Sequence, residues 1–290
     1  MSSLNAQKLA TYTVKIETQL GQRPNPGTAF FLDLRTGTNS LEQFLITARH
    51  IIDNASSCVI YLSRMERGQR SSFFPKDIQL PCDLNNWKPH PNRTIDLAAL
   101  PIRKLLEDFE KDFELSLYRP TITEDMIVTP EDLSGMGSTD EVLVIGYPNN
   151  LYDIRRNLSV FSKGIASTHP GLNFDDGNAF LIDAACFQGS SGAPVFSYDS
   201  LKSVEFCPKL LGVVSTGVMG KITIEKRQRP DRRLGTRRIL GGIPDLLARW
   251  RVIEKRSGGA DSQNEEMAVG FPISFSFVIR AEELLGFRGA

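Results

Sequence analysis

The sequence predicts an all-β fold, a barrel or a sandwich, on three observations. Short apolar segments with turn residues between them recur over residues 11–100, several with the two-residue alternation of a half-buried strand. The same pattern returns from about residue 123 to 218. Between the two runs, residues 102–117 carry a clear helical period.

The elements follow in order. Tyr12 to Thr18 alternates and reads as a strand, and 21–27, rich in Pro and Gly, as a turn. Thr28 to Leu34, Phe44 to Ile52, Ser57 to Leu62 and Ile95 to Ile102 are further strands, with His50 near the end of the second. Ile102, Leu105, Leu106, Phe109, Phe113 and Leu117 recur at three- and four-residue steps. They predict an amphipathic helix lying on the surface between two halves, followed by a linker at 118–121. Strands are expected at 141–148, 159–167, 180–185 and 210–218. Residues 219–270 are polar and Arg-rich, with a short helix expected at 244–252 and a mobile stretch at 258–266. Strand character returns at 273–279, and a short helix at 281–285 ends the chain. Two parts result, 1–118 and 119–290.

Composition narrows the function. With 290 residues and 41% hydrophobic content, the chain can bury a sizeable core. Its 34 basic and 34 acidic residues cancel, so the whole molecule has no bias toward nucleic acid or an anionic membrane. The first residues are polar and lack the apolar core of a signal peptide. No run of eighteen apolar residues suits a membrane span. Cys58, Cys82, Cys186 and Cys207 have no metal-ligand spacing and are expected as reduced thiols, in a cytoplasmic protein. No cofactor or metal is expected. His90 and His169 sit in proline turns and are expected to be solvated, and Asp175-Asp176-Gly177 reads as a turn. Residues 221–238 gather Lys and Arg without aromatics, which argues against single-strand stacking; the segment reads as a solvated insertion, with a weak patch for an acidic partner or nucleic acid as the alternative.

Chemistry concentrates at Gln188-Gly189-Ser190-Ser191-Gly192-Ala193-Pro194-Val195. A serine on a turn of small residues can present its hydroxyl, and the Gly189 and Ser191 amides can converge where a carbonyl oxygen would gain charge. A Gly-Ser-Ser-Gly turn is common by itself. Two other residues stand in unusual settings: His50, closing an apolar run, and Asp96, a lone acid among apolar neighbours that needs a hydrogen-bond partner. A serine nucleophile requires a base to take its proton and a buried acid to fix the base's tautomer.

The order His, Asp, Ser resembles that of the trypsin-like, chymotrypsin-fold serine peptidases. The motifs are Leu-Ile-Thr-Ala-Arg-His at 45–50, Asp-Leu-Ala at 96–98 and Gly-Ser-Ser-Gly-Ala-Pro at 189–194. The likeness is greatest to the bacterial branch without propeptide activation, which includes the high-temperature-requirement proteases. It implies two antiparallel six-stranded β-barrels with the active site in the cleft between them. It further implies His50 as general base, Asp96 as its orienting acid and Ser191 as nucleophile, with the Gly189 and Ser191 amides as oxyanion hole. Ser215, Thr216 and Gly217 would pair with a polypeptide substrate as an added strand. Ala185, Cys186 and Phe187 would begin the side-chain pocket, and 277–279 would close it.

Two residues depart from the family pattern. Ser190 stands where Asn or Asp is usual, which implies no activation by pairing with a freshly cut N-terminus. Ala193 replaces a glycine. Ala185 occupies the position where Arg/Lys-cutting members carry an aspartate, so a small or medium apolar side chain is expected, held by burial worth ~2 kcal/mol. The expected activity is that of a serine endopeptidase, rising as His50 loses its proton. The alternative is a latent peptide-binding or regulatory relative, and control by a protein partner through the 219–270 insertion fits either.

Overall fold

A computed structural model describes residues 9–36, 40–65, 77–174, 177–199, 208–226, 250–253 and 266–289. The first sheet contains β1 (Thr13–Leu20), β2 (Arg23–Thr36), β3 (Ser40–Ala48), β4 (Cys58–Met65), β5 (Asp77–Pro81), β6 (Lys88–Pro89) and β7 (Leu97–Pro101). Its strand order is β5-β4-β1-β2-β3-β7-β6. Two short strands join it: β8 (Ser116–Tyr118) on β4, and β9 (Ile122–Thr123), parallel to β2. Among the described residues, no strand pairing closes this sheet.

β2 and β3 are apolar on both faces because both faces are covered. Ala29, Phe31 and Leu45 pack with Val14, Ile16, Ile51 and Leu106 in one core cluster. Phe30, Leu32, Leu34, Phe44 and Ile46 point the other way, into a cluster that also holds Val142, Val144, Phe196 and Val213 from the second sheet. Burying each such side chain stabilises the fold by about 1.5–3 kcal/mol.

The second sheet contains β10 (Glu141–Gly146), β11 (Val160–Ala166), β12 (Ala179–Asp183), β13 (Pro194–Ser197), β14 (Leu210–Lys226), β15 (Trp250–Ile253) and β16 (Glu266–Arg280). Its order is β13-β10-β11-β12-β16-β14-β15, and β13 also pairs with β14. Six strands, β13 to β14, therefore form a closed antiparallel barrel. The chain divides into two compact units, one of 1–217 with 274–290 and one of 218–273. In the second unit, the far part of β14 pairs with β15 from Thr223↔Ile253 to Lys226↔Trp250.

Several sequence expectations are corrected. Residues 23–27 belong to β2, because the β1–β2 hairpin turns tightly at Gly21, whose φ is +59°. β3 stops at Ala48, where its ladder to β7 ends, and Arg49–Ile52 form one helical turn, α1. That turn buries Ile51 and Ile52, and the Thr18 hydroxyl holds the Ile51 carbonyl at 2.7 Å. The expected helix of 102–117 is shorter: α2 spans Arg103–Asp112. Glu114 takes a left-handed φ of 48°, and Leu117 passes into β8. α2 buries Leu106 in the first sheet's own core instead of lying between two halves.

A third helix, α3 (Pro130–Ser134), is capped by Thr129 and Asp132 and went unread in the sequence. Of the helix expected at 244–252, residues 250–252 are strand, and 244–249 lie outside the described residues. The mobile stretch expected at 258–266 lies outside them as far as 265, and so do residues 227–238 of the basic cluster, Asp175, Asp176 and Cys207. Residues 266–272 extend β16, and 281–289 form a 3-10 segment. His90 is buried, not solvated, with 4% exposure. Its Nε2 lies 3.0 Å from the Glu283 carbonyl and its ring edge-on to Phe287, both on the C-terminal segment.

No helix among the described residues is long and apolar enough to cross a membrane.

Candidate active site

His50 is carried by α1 immediately after β3, and Asp96 lies one residue before β7, the strand that pairs with β3. Thr47↔Ala98 and Ala48↔Leu97 are cross-strand partners, so the ladder brings the two residues together. The Arg49 amide donates to the Asp96 carbonyl at 3.1 Å, and the His50 amide to Asp96 Oδ1 at 2.9 Å. His50 Nδ1 lies 2.7 Å from Asp96 Oδ2. A carboxylate can only accept, so Nδ1 carries a proton, and in the neutral ring the lone pair is then on Nε2. The His50 side chain is 40% exposed and the Asp96 side chain 22%. One edge of the imidazole thus faces a sheltered carboxylate while the ring remains accessible.

A third donor completes the Asp96 shell. The Ser215 hydroxyl, on β14, donates to Oδ2 at 2.6 Å. Burial pushes the Asp96 carboxyl up, but the His50 ring, the Ser215 hydroxyl and the His50 amide outweigh it and hold the group below the usual carboxylate range. The sequence suggested only a backbone role for Ser215, and its buried hydroxyl is the part that was missed. Thr216, which follows it, is exposed, and Gly217 continues the same strand.

Ser191 lies on the turn between β12 and β13. Gly189 and Gly192 there have φ of +95° and +86°. A Cβ at Gly192 would overlap the Thr28 carbonyl oxygen and crowd the Thr47 hydroxyl and the Ala48 amide. The turn therefore touches the end of β3, two residues before His50. Gly192→Ala is expected to destabilise the fold by about 1–3 kcal/mol from its backbone conformation alone. An unchanged denaturation midpoint would contradict this close approach.

The turn is held by backbone bonds from several elements. Thr28 N–H, on β2, donates to the Ser191 carbonyl at 2.9 Å, and Gly192 N–H to the Val214 carbonyl at 2.7 Å. Ser190, the departure from the family pattern, is buried, and its hydroxyl accepts from the Phe187 amide at 3.1 Å. It closes the turn on itself. Ala193 is fully buried. Among the described residues, the Gly189 and Ser191 amides find no acceptor and the Ser191 hydroxyl makes no hydrogen bond.

Ala185 and Phe187 are exposed, while Cys186 between them is buried and its thiol is free. Burial pushes that thiol up to about 11, partly offset by Ser276 on β16. A protonated thiol behaves as a small apolar wall. Among the described residues, no cluster of His, Cys, Asp and Glu could hold a metal ion.

The model of the trypsin-like peptidase domain matches residues 27–202, a span that includes His50, Asp96 and Ser191. The chain belongs to the trypsin-like peptidase domain family. Solved structures similar to this family member include the HtrA-type protease AlgW with a tripeptide, at 18% identity and a TM-score of 0.44, covering 74% of this chain and 54% of that one. The active form of the Rv3671c protease from M. tuberculosis is similar at 14% identity and a TM-score of 0.46, covering 98% and 82%. The serine endoprotease from Yersinia pestis is similar at 18% identity and a TM-score of 0.44, covering 75% and 59%. The chain thus spans about half the length of AlgW. Curated protein sequences gave no match.

Proposed function

We propose that this trypsin-like family member is a serine endopeptidase. The observation that carries the reading is the His50–Asp96 pair, an accessible imidazole whose Nδ1 is held at 2.7 Å by a carboxylate with three donors. His50 Nε2 takes the proton of Ser191 as its oxygen attacks the scissile carbonyl, and Asp96 fixes the tautomer and steadies the imidazolium. The oxyanion that forms is received by the Gly189 and Ser191 amides. The leaving amine departs with the proton from His50, and water then repeats the sequence on the acyl-enzyme. Such a hydrogen bond from serine to histidine is often long in the empty site and shortens with substrate.

The substrate is an extended polypeptide crossing between the first sheet and the closed barrel, pairing with the backbone at 215–217. Ala185 and the protonated Cys186 thiol stand at the proposed pocket's first positions, and neither offers a carboxylate to a basic side chain. Cleavage is therefore expected after small or medium apolar residues. A peptide-library digest read by mass spectrometry checks this, and cleavage mainly after Arg or Lys would contradict it.

A fluorophosphonate probe tests the activity itself. Labelling of the folded wild type and its loss in Ser191→Ala are the expected results. Folded protein that never labels would favour the alternative, a latent peptide-binding relative.

A further inference from the structure

We infer that Thr28 is a positioning residue that braces the peptide bearing the Gly189 oxyanion-binding amide from both flanks, and this rests on the peptidase reading above. In a planar trans peptide, the carbonyl of one residue and the N–H of the next point in opposite directions. Whatever grips the Gln188 carbonyl therefore aims the Gly189 N–H. Whatever grips the Ser190 carbonyl aims the Ser191 N–H.

All four consecutive carbonyls of the turn are gripped. Gln188 O accepts from the Asn149 amide, Ser190 O from the Ala193 amide at 2.9 Å, and Ser191 O from the Thr28 amide at 2.9 Å. Gly189 O accepts from the Thr28 hydroxyl at 2.7 Å. Three of these anchors are backbone amides, and Thr28 Oγ1 is the one side chain among them. The same hydroxyl accepts from the Tyr147 amide at 3.1 Å, at the start of the segment that supplies Asn149. The Thr28 carbonyl in turn accepts from the Thr47 hydroxyl at 2.8 Å, three residues before His50.

Every polar atom of Thr28 is engaged, and the residue is fully buried. Gly146 makes room for it, since a Cβ there would sit 2.7 Å from the Thr28 hydroxyl oxygen. The hydroxyl acts on the 188–189 peptide through its flanks. It holds the Gly189 carbonyl on one side and, through the Tyr147 amide, the segment whose Asn149 amide grips the Gln188 carbonyl on the other. Turning that peptide over breaks the Asn149 bond and strains both flanks. A turned peptide would present a carbonyl oxygen where the oxyanion needs a donor, and the Gly189 contribution would be lost.

The test compares Thr28→Val, which keeps the shape and removes the hydroxyl, with Thr28→Ser, which keeps the hydroxyl. Both are assayed below their unfolding temperatures, with peptide turnover and with binding of a peptide boronate, whose adduct presents an oxygen to the oxyanion site. Thr28→Val is expected to lower kcat about 10- to 100-fold, less than outright loss of an oxyanion donor, with KM little changed. Boronate affinity falls in parallel, and Thr28→Ser restores both.

Turnover by Thr28→Val at the wild-type kcat overturns the inference and leaves the peptidase reading intact. So does a loss that appears in KM alone. Should wild type itself prove inert, the peptidase reading fails instead. Crystal structures of wild type and Thr28→Val then decide the positioning role: an unchanged 188–189 peptide overturns it, and a rotated one supports it.

Discussion

Ser191→Ala is expected to lower turnover of a good peptide substrate by about a million-fold, leaving only what the oxyanion site and binding supply. The loss should fall in kcat, because the hydroxyl acts on the reacting carbonyl and not in holding the ends of the peptide. His50→Ala should cost nearly as much, and the double variant no more than either single one, since base and nucleophile act as a unit. Steady-state kinetics on the three variants would show this. Additive losses would mean that the two residues act independently and that the proposed proton transfer is wrong. Unfolding is not expected for Ser191→Ala, as its hydroxyl makes no hydrogen bond among the described residues.

Asp96→Asn should reduce kcat by about ten-thousand-fold. An amide can offer its N–H to His50 Nδ1, which stabilises the tautomer with its proton on Nε2 and leaves no base facing the serine. The same substitution has a stability signature. Asp96 is held below the usual carboxylate range in the folded protein, so its charged form stabilises the fold. That contribution is fully present above the carboxylate's unfolded value and is lost as pH falls through its lower folded value. Thermal denaturation of wild type and Asp96→Asn should therefore differ most near neutral pH and converge in acid. A gap that widens in acid would contradict this sign.

The chemistry-bearing residues were legible because each sits in a local setting that chemistry makes conspicuous. A serine among glycines, a histidine closing an apolar run and a lone acid among Leu and Ala can be read without any knowledge of the fold. The strands were legible for the same reason, as alternation and turn residues are short-range signals.

What was not legible depends on distant pairings. Thr28 reads as one more strand residue, and its role appears only when Gly189, 161 residues away, comes against it. The Ser215 hydroxyl meets Asp96 across 119 residues. His90 reads as a turn histidine because the segment that covers it, around Glu283 and Phe287, lies 193 residues further on. The helical turn bearing His50 was hidden by the apolar run Phe44 to Ile52, which suits a strand as well as a buried helical end. The first sheet's ladder, unclosed among the described residues, and the second sheet's closure likewise turn on which edges meet, and an alternating pattern does not record that.

The central claim is that His50 and Asp96 activate the hydroxyl of Ser191. Its most direct measurement is the site of covalent attack. Wild-type protein treated with a fluorophosphonate, digested and read by tandem mass spectrometry should carry the phosphonyl mass on Ser191. Asp96→Asn should form the adduct far more slowly. An adduct on another residue, or equal rates of labelling in wild type and Asp96→Asn, would contradict the account.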